Sequence, residues 1–148
     1  MRLGTLLAIG MLGVVATESW AGDSIAGKAR AFAADVLIVR GTNIRLTGVV
    51  APADAMTCPT DSGEVNCSEV ARDELEHLVA GRQVTCALGQ KVGHGRYFGV
   101  CRLESGQDVA EALLRAGWLR AADDASAAYK AAEMAAAAAH LGLWANAL

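Results

Sequence analysis

Three early segments, residues 26–34, 36–40 and 43–50, read as strands. Within the third, Arg45 alternates with Ile44 and Leu46, and Arg40-Gly41-Thr42-Asn43 is a hairpin-type turn joining it to the second. The period then changes. Asn66-x-x-Glu69 has the form of a capping box, and Ala71, Leu75, Leu78 and Val79 fall on one helical face that Gly81 is placed to end. Val84, Cys86 and Leu88 alternate along a fourth strand and residues 97–103 form a fifth, with Gly93-His94-Gly95 as the turn between them. Asp108-x-x-Glu111 opens a second helix carrying Val109, Leu113 and Ala116 and ending at Gly117. A third, alanine-rich helix spans about residues 126–141, with Gly142 as its stop. Five strands with a helix inserted between the third and fourth is the order expected of an OB-type barrel, here an α+β chain with three helices.

The cysteines sharpen this picture. A hairpin turning at Gly93-His94 sets opposite each other residues whose numbers sum to 187, Cys86 and Cys101 among them. That leaves Cys58 and Cys67 to close a short polar loop, and a four-cysteine zinc site lacks the C-x-x-C knuckle it would need. Paired cysteines point to an oxidising compartment. So does the N-terminus. Arg2, an apolar run over residues 6–15 and Ser19-Trp20-Ala21 make residues 1–21 a signal peptide, with a run too short for a membrane span. The expectation is a periplasmic or secreted protein in which 22–148 form one domain and nothing spans the membrane after cleavage. The net charge of −3 is unchanged by cleavage, because Arg2 and Glu18 leave together. Such a chain has no global field to gather a polyanion, so any anion site must be local.

The stretch from Gly27-Lys28-Ala29 through Arg45-Leu46-Thr47-Gly48-Val49-Val50-Ala51-Pro52 resembles the staphylococcal nuclease (thermonuclease) family. Its pattern there is roughly V-x-D-G-D-T-L-x-V, a turn, then I-R-L-x-G-I-D-x-P-E. Gly95-Arg96, Gly106-Gln107-Asp108-Val109, Leu113-Leu114, Gly117-Trp118, Tyr129 with Glu133, and Gly142-Leu143-Trp144 continue the match in order. The four cysteines look like those of its secreted bacterial branch. The resemblance implies the same five-stranded barrel with three helices.

It also implies a chemistry, and this chain departs from it. Active relatives cleave phosphodiesters with one calcium ion held by two aspartates and a carbonyl, a glutamate base and two arginines. Carried over by position, the D-G-D-T box is Ala33-Ala34-Asp35-Val36, so Asp35 is the residual calcium position. The arginines are Arg45 and Arg96. The second calcium aspartate falls on Val50, its neighbouring threonine on Ala51, and the base on Ala53, with Asp54 one place away as a substitute. His94 replaces a tyrosine and Asp123 a base-stacking aromatic. Calcium favours six to eight oxygen ligands, and loss of a general base alone costs about 10²–10⁴-fold in rate.

Three readings follow. The first is an impaired or inactive member acting as a binding or accessory protein of the cell envelope, with no cofactor. Its partner is an anionic ligand held through Arg45 and Arg96, weakly bound nucleic acid included, or an envelope protein. The second is a weak calcium-dependent nuclease for single-stranded DNA or RNA using Asp35, Asp54 and the two arginines, and the third is an accessory role in exopolysaccharide production. His77, His94 and His140 read as solvated, and Trp118 and Trp144 as core anchors.

Overall fold

The computed structural model describes residues 22–145. The expected signal segment, residues 1–21, lies outside them. The elements in chain order are β1 (Ser24–Ala33), β2 (Val36–Val39), β3 (Thr42–Leu46), β4 (Val49–Val50), β5 (Thr57–Thr60), β6 (Gly63–Asn66), α1 (Cys67–Val79), β7 (Gln83–Gly93), β8 (Arg96–Leu103), α2 (Val109–Arg115), β9 (Arg120–Ala121), α3 (Ala127–Ala138) and a 3₁₀ turn (Gly142–Trp144).

Five strands close a barrel in the order β1-β2-β3-β8-β7, with β1 also paired to β7. Four of these pairings are antiparallel. The fifth, β3 with β8, is parallel and sets Asn43 beside Arg96 and Arg45 beside Phe98. Inward-facing Leu37, Val39, Ile44, Leu46, Val84 and Leu103 fill the barrel, and Ala71, Leu75 and Val79 of α1 join Val109, Leu113 and Leu114 of α2 in one core. The helix starts are those read from the sequence. Asn66 accepts from the Ser68 and Glu69 amides, Asp108 from Glu111 and Ser126 from Tyr129. Each cap satisfies donors that a helix leaves open at its first turn.

Both disulfides form as paired above, Cys58–Cys67 and Cys86–Cys101. The hairpin register needs a correction. Its lower half has Cys86 opposite Cys101, but the turn is His94-Gly95, because Gly93 faces Arg96 and two bulges restore the register below. The third expected strand is also split. β3 ends at Leu46, and Val49–Val50 pairs instead with β9. α3 ends at Ala138, short of residue 141, with His140 taking a left-handed backbone (φ 54°). The last turn is diverted because the Leu141–Gly142 backbone must meet Gly117, where a Cβ would lie 2.3 Å from the Leu141 carbonyl oxygen. Trp118 packs at the edge of the core, whereas Trp144 is half-buried beneath the Arg120 guanidinium, 5.0 Å from its ring centre. The three histidines are exposed. No helix among the described residues is long and apolar enough to cross a membrane.

Candidate phosphodiester site

Two adjoining cavities open on one side of the barrel. The first, of about 440 Å³, is lined by Asp35 from the β1–β2 turn and Arg45 from β3, by Pro52 and Asp54 from the loop after β4, and by Glu69 and Arg72 from α1. The second, of about 370 Å³, holds Asn43, Arg45, Arg96, Tyr97 and Phe98. Arg45 and Phe32 belong to both.

Local structure explains these placements. Asp35 lies in the turn between β1 and β2, where its carbonyl accepts from the Leu46 amide at 2.8 Å. That bond seats the turn against β3, so that Arg45 Nε reaches Asp35 Oδ2 at 3.4 Å. The loop carrying Asp54 is fixed to the start of α1. The Asn66 side-chain amide donates to the Asp54 carbonyl, the Cys67 amide donates to the Met56 carbonyl, and Cys58–Cys67 closes the clamp. The parallel β3–β8 pairing places Arg45 and Arg96 on the same strand pair, two residues apart in register. The arginines, Asp35 and Asp54 therefore gather around the two cavities as the sequence reading grouped them. Glu69 and Arg72 were missed. They follow the Asn66 cap and, three apart, share a helical face, a signal visible once that helix end is placed beside the loop.

Charge differs sharply between the cavities. The first mixes Asp35, Asp54 and Glu69 with Arg45 and Arg72. The described residues lining the second include two arginines and no acid. Asp35 is buried, and desolvation pushes its carboxyl above the ordinary value against the opposing effects of Arg45 and its own backbone amide. Arg45 remains 57% exposed, so water screens the ion pair and burial wins.

The sign of the resulting pH dependence is fixed. A carboxyl whose folded pKa exceeds its unfolded one binds its proton more tightly in the folded state, so its contribution to stability falls as pH rises between the two values. Asp35→Asn, which cannot ionise, is expected to gain stability relative to the parent as pH rises through that window. Urea unfolding of both proteins from about pH 3 to about pH 7 measures the difference. A difference that moves against the variant with rising pH would contradict it.

The residues present do not fit a calcium site. Val50 brings no side-chain oxygen, is half-exposed, and faces Arg120 in the β4–β9 pair. Neither Val50 nor Ala53 lines the first cavity; Ala51, Pro52 and Asp54 occupy that wall. Among the described residues, no group of three His, Cys, Asp or Glu side chains is arranged to hold a metal ion. Asp35 is already engaged by Arg45, and hard cations need several charged oxygens to offset their lost water.

The model of the staphylococcal nuclease homologue family matches residues 43–146. This chain belongs to that family. The match includes β3 from Asn43 on, the Asp54 loop, all four cysteines and the Arg96 hairpin, while Asp35 and Phe32 precede it. Comparison with curated proteins finds no match. As a staphylococcal nuclease homologue, the protein carries a nuclease-type fold stapled by two disulfides.

Proposed function

We propose that this staphylococcal nuclease homologue is an exported binding protein for phosphodiester strands, with calcium-dependent hydrolysis lost or greatly reduced. The observation that carries the reading is the second cavity, which Arg45 and Arg96 both line with no acidic residue among its described lining. Two guanidinium groups so placed suit the oxygens of a phosphate, which they can bind through charged hydrogen bonds. The misfit of calcium in the first cavity supports a binding role over a hydrolytic one. Export rests on residues 1–21 and on the disulfides.

Because the net charge is −3, binding should be weak, and with only two arginines to neutralise phosphates it should fall only moderately with salt. Fluorescence anisotropy with labelled single-stranded DNA and RNA at low salt tests it. The parent protein should bind, and Arg45→Ala with Arg96→Ala should weaken binding by roughly tenfold or more, given the usual strength of hydrogen bonds to charged groups. Calcium should change neither affinity nor strand length. Absence of binding to either strand would end this reading.

A weak nuclease remains the second reading, favoured by one observation: Asp54 lines the same cavity as Asp35 and Arg45. Calcium-dependent cleavage that disappears in Asp54→Ala would establish it.

A further inference from the structure

Phe32 is 63% exposed in a strand whose neighbouring residues Ala31 and Ala33 are half-buried. Two features hold it there. The β1–β2 register slips between Ala31 and Ala33, so Phe32 is the extra residue of a bulge, which re-aims a side chain. One position earlier the Ala31 amide donates to Glu76 Oε2 at 2.6 Å, tying this part of β1 to α1. A lone exposed phenylalanine would need no explanation. This one borders both cavities, stands with Arg45 in each, and shares the second with Arg96, Tyr97 and Phe98.

We propose that Phe32 is a stacking platform for a nucleobase whose attached phosphate is held by Arg45 and Arg96. The ligand is single-stranded nucleic acid, recognised by its bases as well as its charge. This rests on the phosphodiester-binding reading and goes beyond it, since polyphosphates and acidic polysaccharides carry charge without a flat aromatic ring. Three observations converge on the assignment. The ring is free, because Phe32 is largely exposed to solvent. The strand beside it is tied to α1 by the bond from the Ala31 amide to Glu76, so the backbone that carries the ring needs no ordering on binding. The neighbouring charge is positive in the cavity where the strand would continue. Single-strand binding elsewhere combines these parts, a basic groove beside aromatic rings, and tolerates any sequence because every base has a π face.

The test compares a labelled single-stranded oligonucleotide with an abasic oligonucleotide of the same length and charge, by anisotropy at low salt. Phe32→Ala should weaken binding of the base-bearing strand roughly five- to a hundredfold, the usual range for loss of one stacking ring, and leave the abasic strand unchanged. Phe32→Trp should restore or strengthen the base-dependent part. Arg45→Ala should weaken both strands. Melting temperatures of the variants check that each is folded. If the parent binds both strands equally and Phe32→Ala alters neither, this inference falls while phosphodiester binding stands. Equal weakening of both strands by Phe32→Ala would also overturn it, because the ring would then support the phosphate site alone. If the parent binds neither strand, the underlying reading fails and takes this one with it.

Discussion

Gly117→Ala is expected to destabilise the protein by about 3–5 kcal/mol, combining a strained backbone with overpacking. Gly117 has φ +84°, a region that L-residues seldom adopt. An added Cβ would lie 2.3 Å from the Leu141 carbonyl oxygen and 2.7 Å from its carbon. Both atoms are backbone, so no flexible side chain can yield. The contact is mutual, since a Cβ on Gly142 would lie 2.5 Å from the Gly117 oxygen. That same oxygen accepts from the Leu143 amide at 2.8 Å, which docks the 3₁₀ turn. Gly106 is the control, with φ +86° and nothing within 4 Å of an added Cβ. Gly106→Ala should therefore incur the backbone cost alone, roughly 1–2 kcal/mol. Thermal unfolding of the pair measures the difference, at roughly 2–4 °C per kcal/mol for a chain of this size. Equal losses of melting temperature would show that the close approach at Gly117 carries no energy.

The second large effect is expected at Asp108. This carboxylate is buried and accepts from the Tyr129 hydroxyl, with oxygen distances of 3.0 and 2.9 Å. It also accepts from the Glu111 amide at 3.1 Å as the cap of α2, and Arg102 approaches to 3.8 Å. Asp108→Ala would remove the cap and strand a buried phenol at once. The cap contributes about 1 kcal/mol and the orphaned hydroxyl costs about 1–3 kcal/mol, so a loss of roughly 2–4 kcal/mol is expected. Asp108→Asn keeps an acceptor for both partners and should lose less. Burial and the adjacent carboxylate push the Tyr129 phenol well above its ordinary value in the parent, so removing Asp108 should bring its titration down. Tyrosinate absorbance against pH reads that directly, alongside urea unfolding of the three proteins. A variant phenol that titrates unchanged, together with unchanged stability, would refute the coupling.

Asp108 and Gly117 were both legible in the sequence, but only as punctuation. Asp108 was read as a cap because an acceptor three residues before Glu111 suits the open amides of a first turn. Gly117 was read as a stop because it follows the last apolar residue of the helical face. Neither reading contained Tyr129 or Leu141, the partners that give these residues their expected weight. Those partners lie 21 and 24 positions on, beyond the reach of local periodicity. The displaced end of α3 and the splitting of the third strand have the same cause. Leu141 is held by Gly117 in the connection after α2, and Val49–Val50 by β9.

The site divides in the same way. Asp35, Arg45, Asp54 and Arg96 were singled out through the resemblance to the thermonuclease pattern, and the Asp35–Arg45 ion pair spans one hairpin whose turn the chain announces. What the sequence determined by itself was local: the strand and helix periods, the caps at Asn66 and Asp108, and the cystine facing across its hairpin. These depend on neighbours within about one turn or one hairpin, where chain connectivity limits the possible partners. The tertiary structure alone decided that Arg45 and Arg96 share a cavity free of acids among its described lining, because that depends on the parallel β3–β8 pairing. It alone turned Phe32 outward, through a bulge and a carboxylate from α1, and set Glu69 and Arg72 opposite Asp35. Such contacts form only when the barrel closes, because burying the common core brings together segments that the chain keeps far apart.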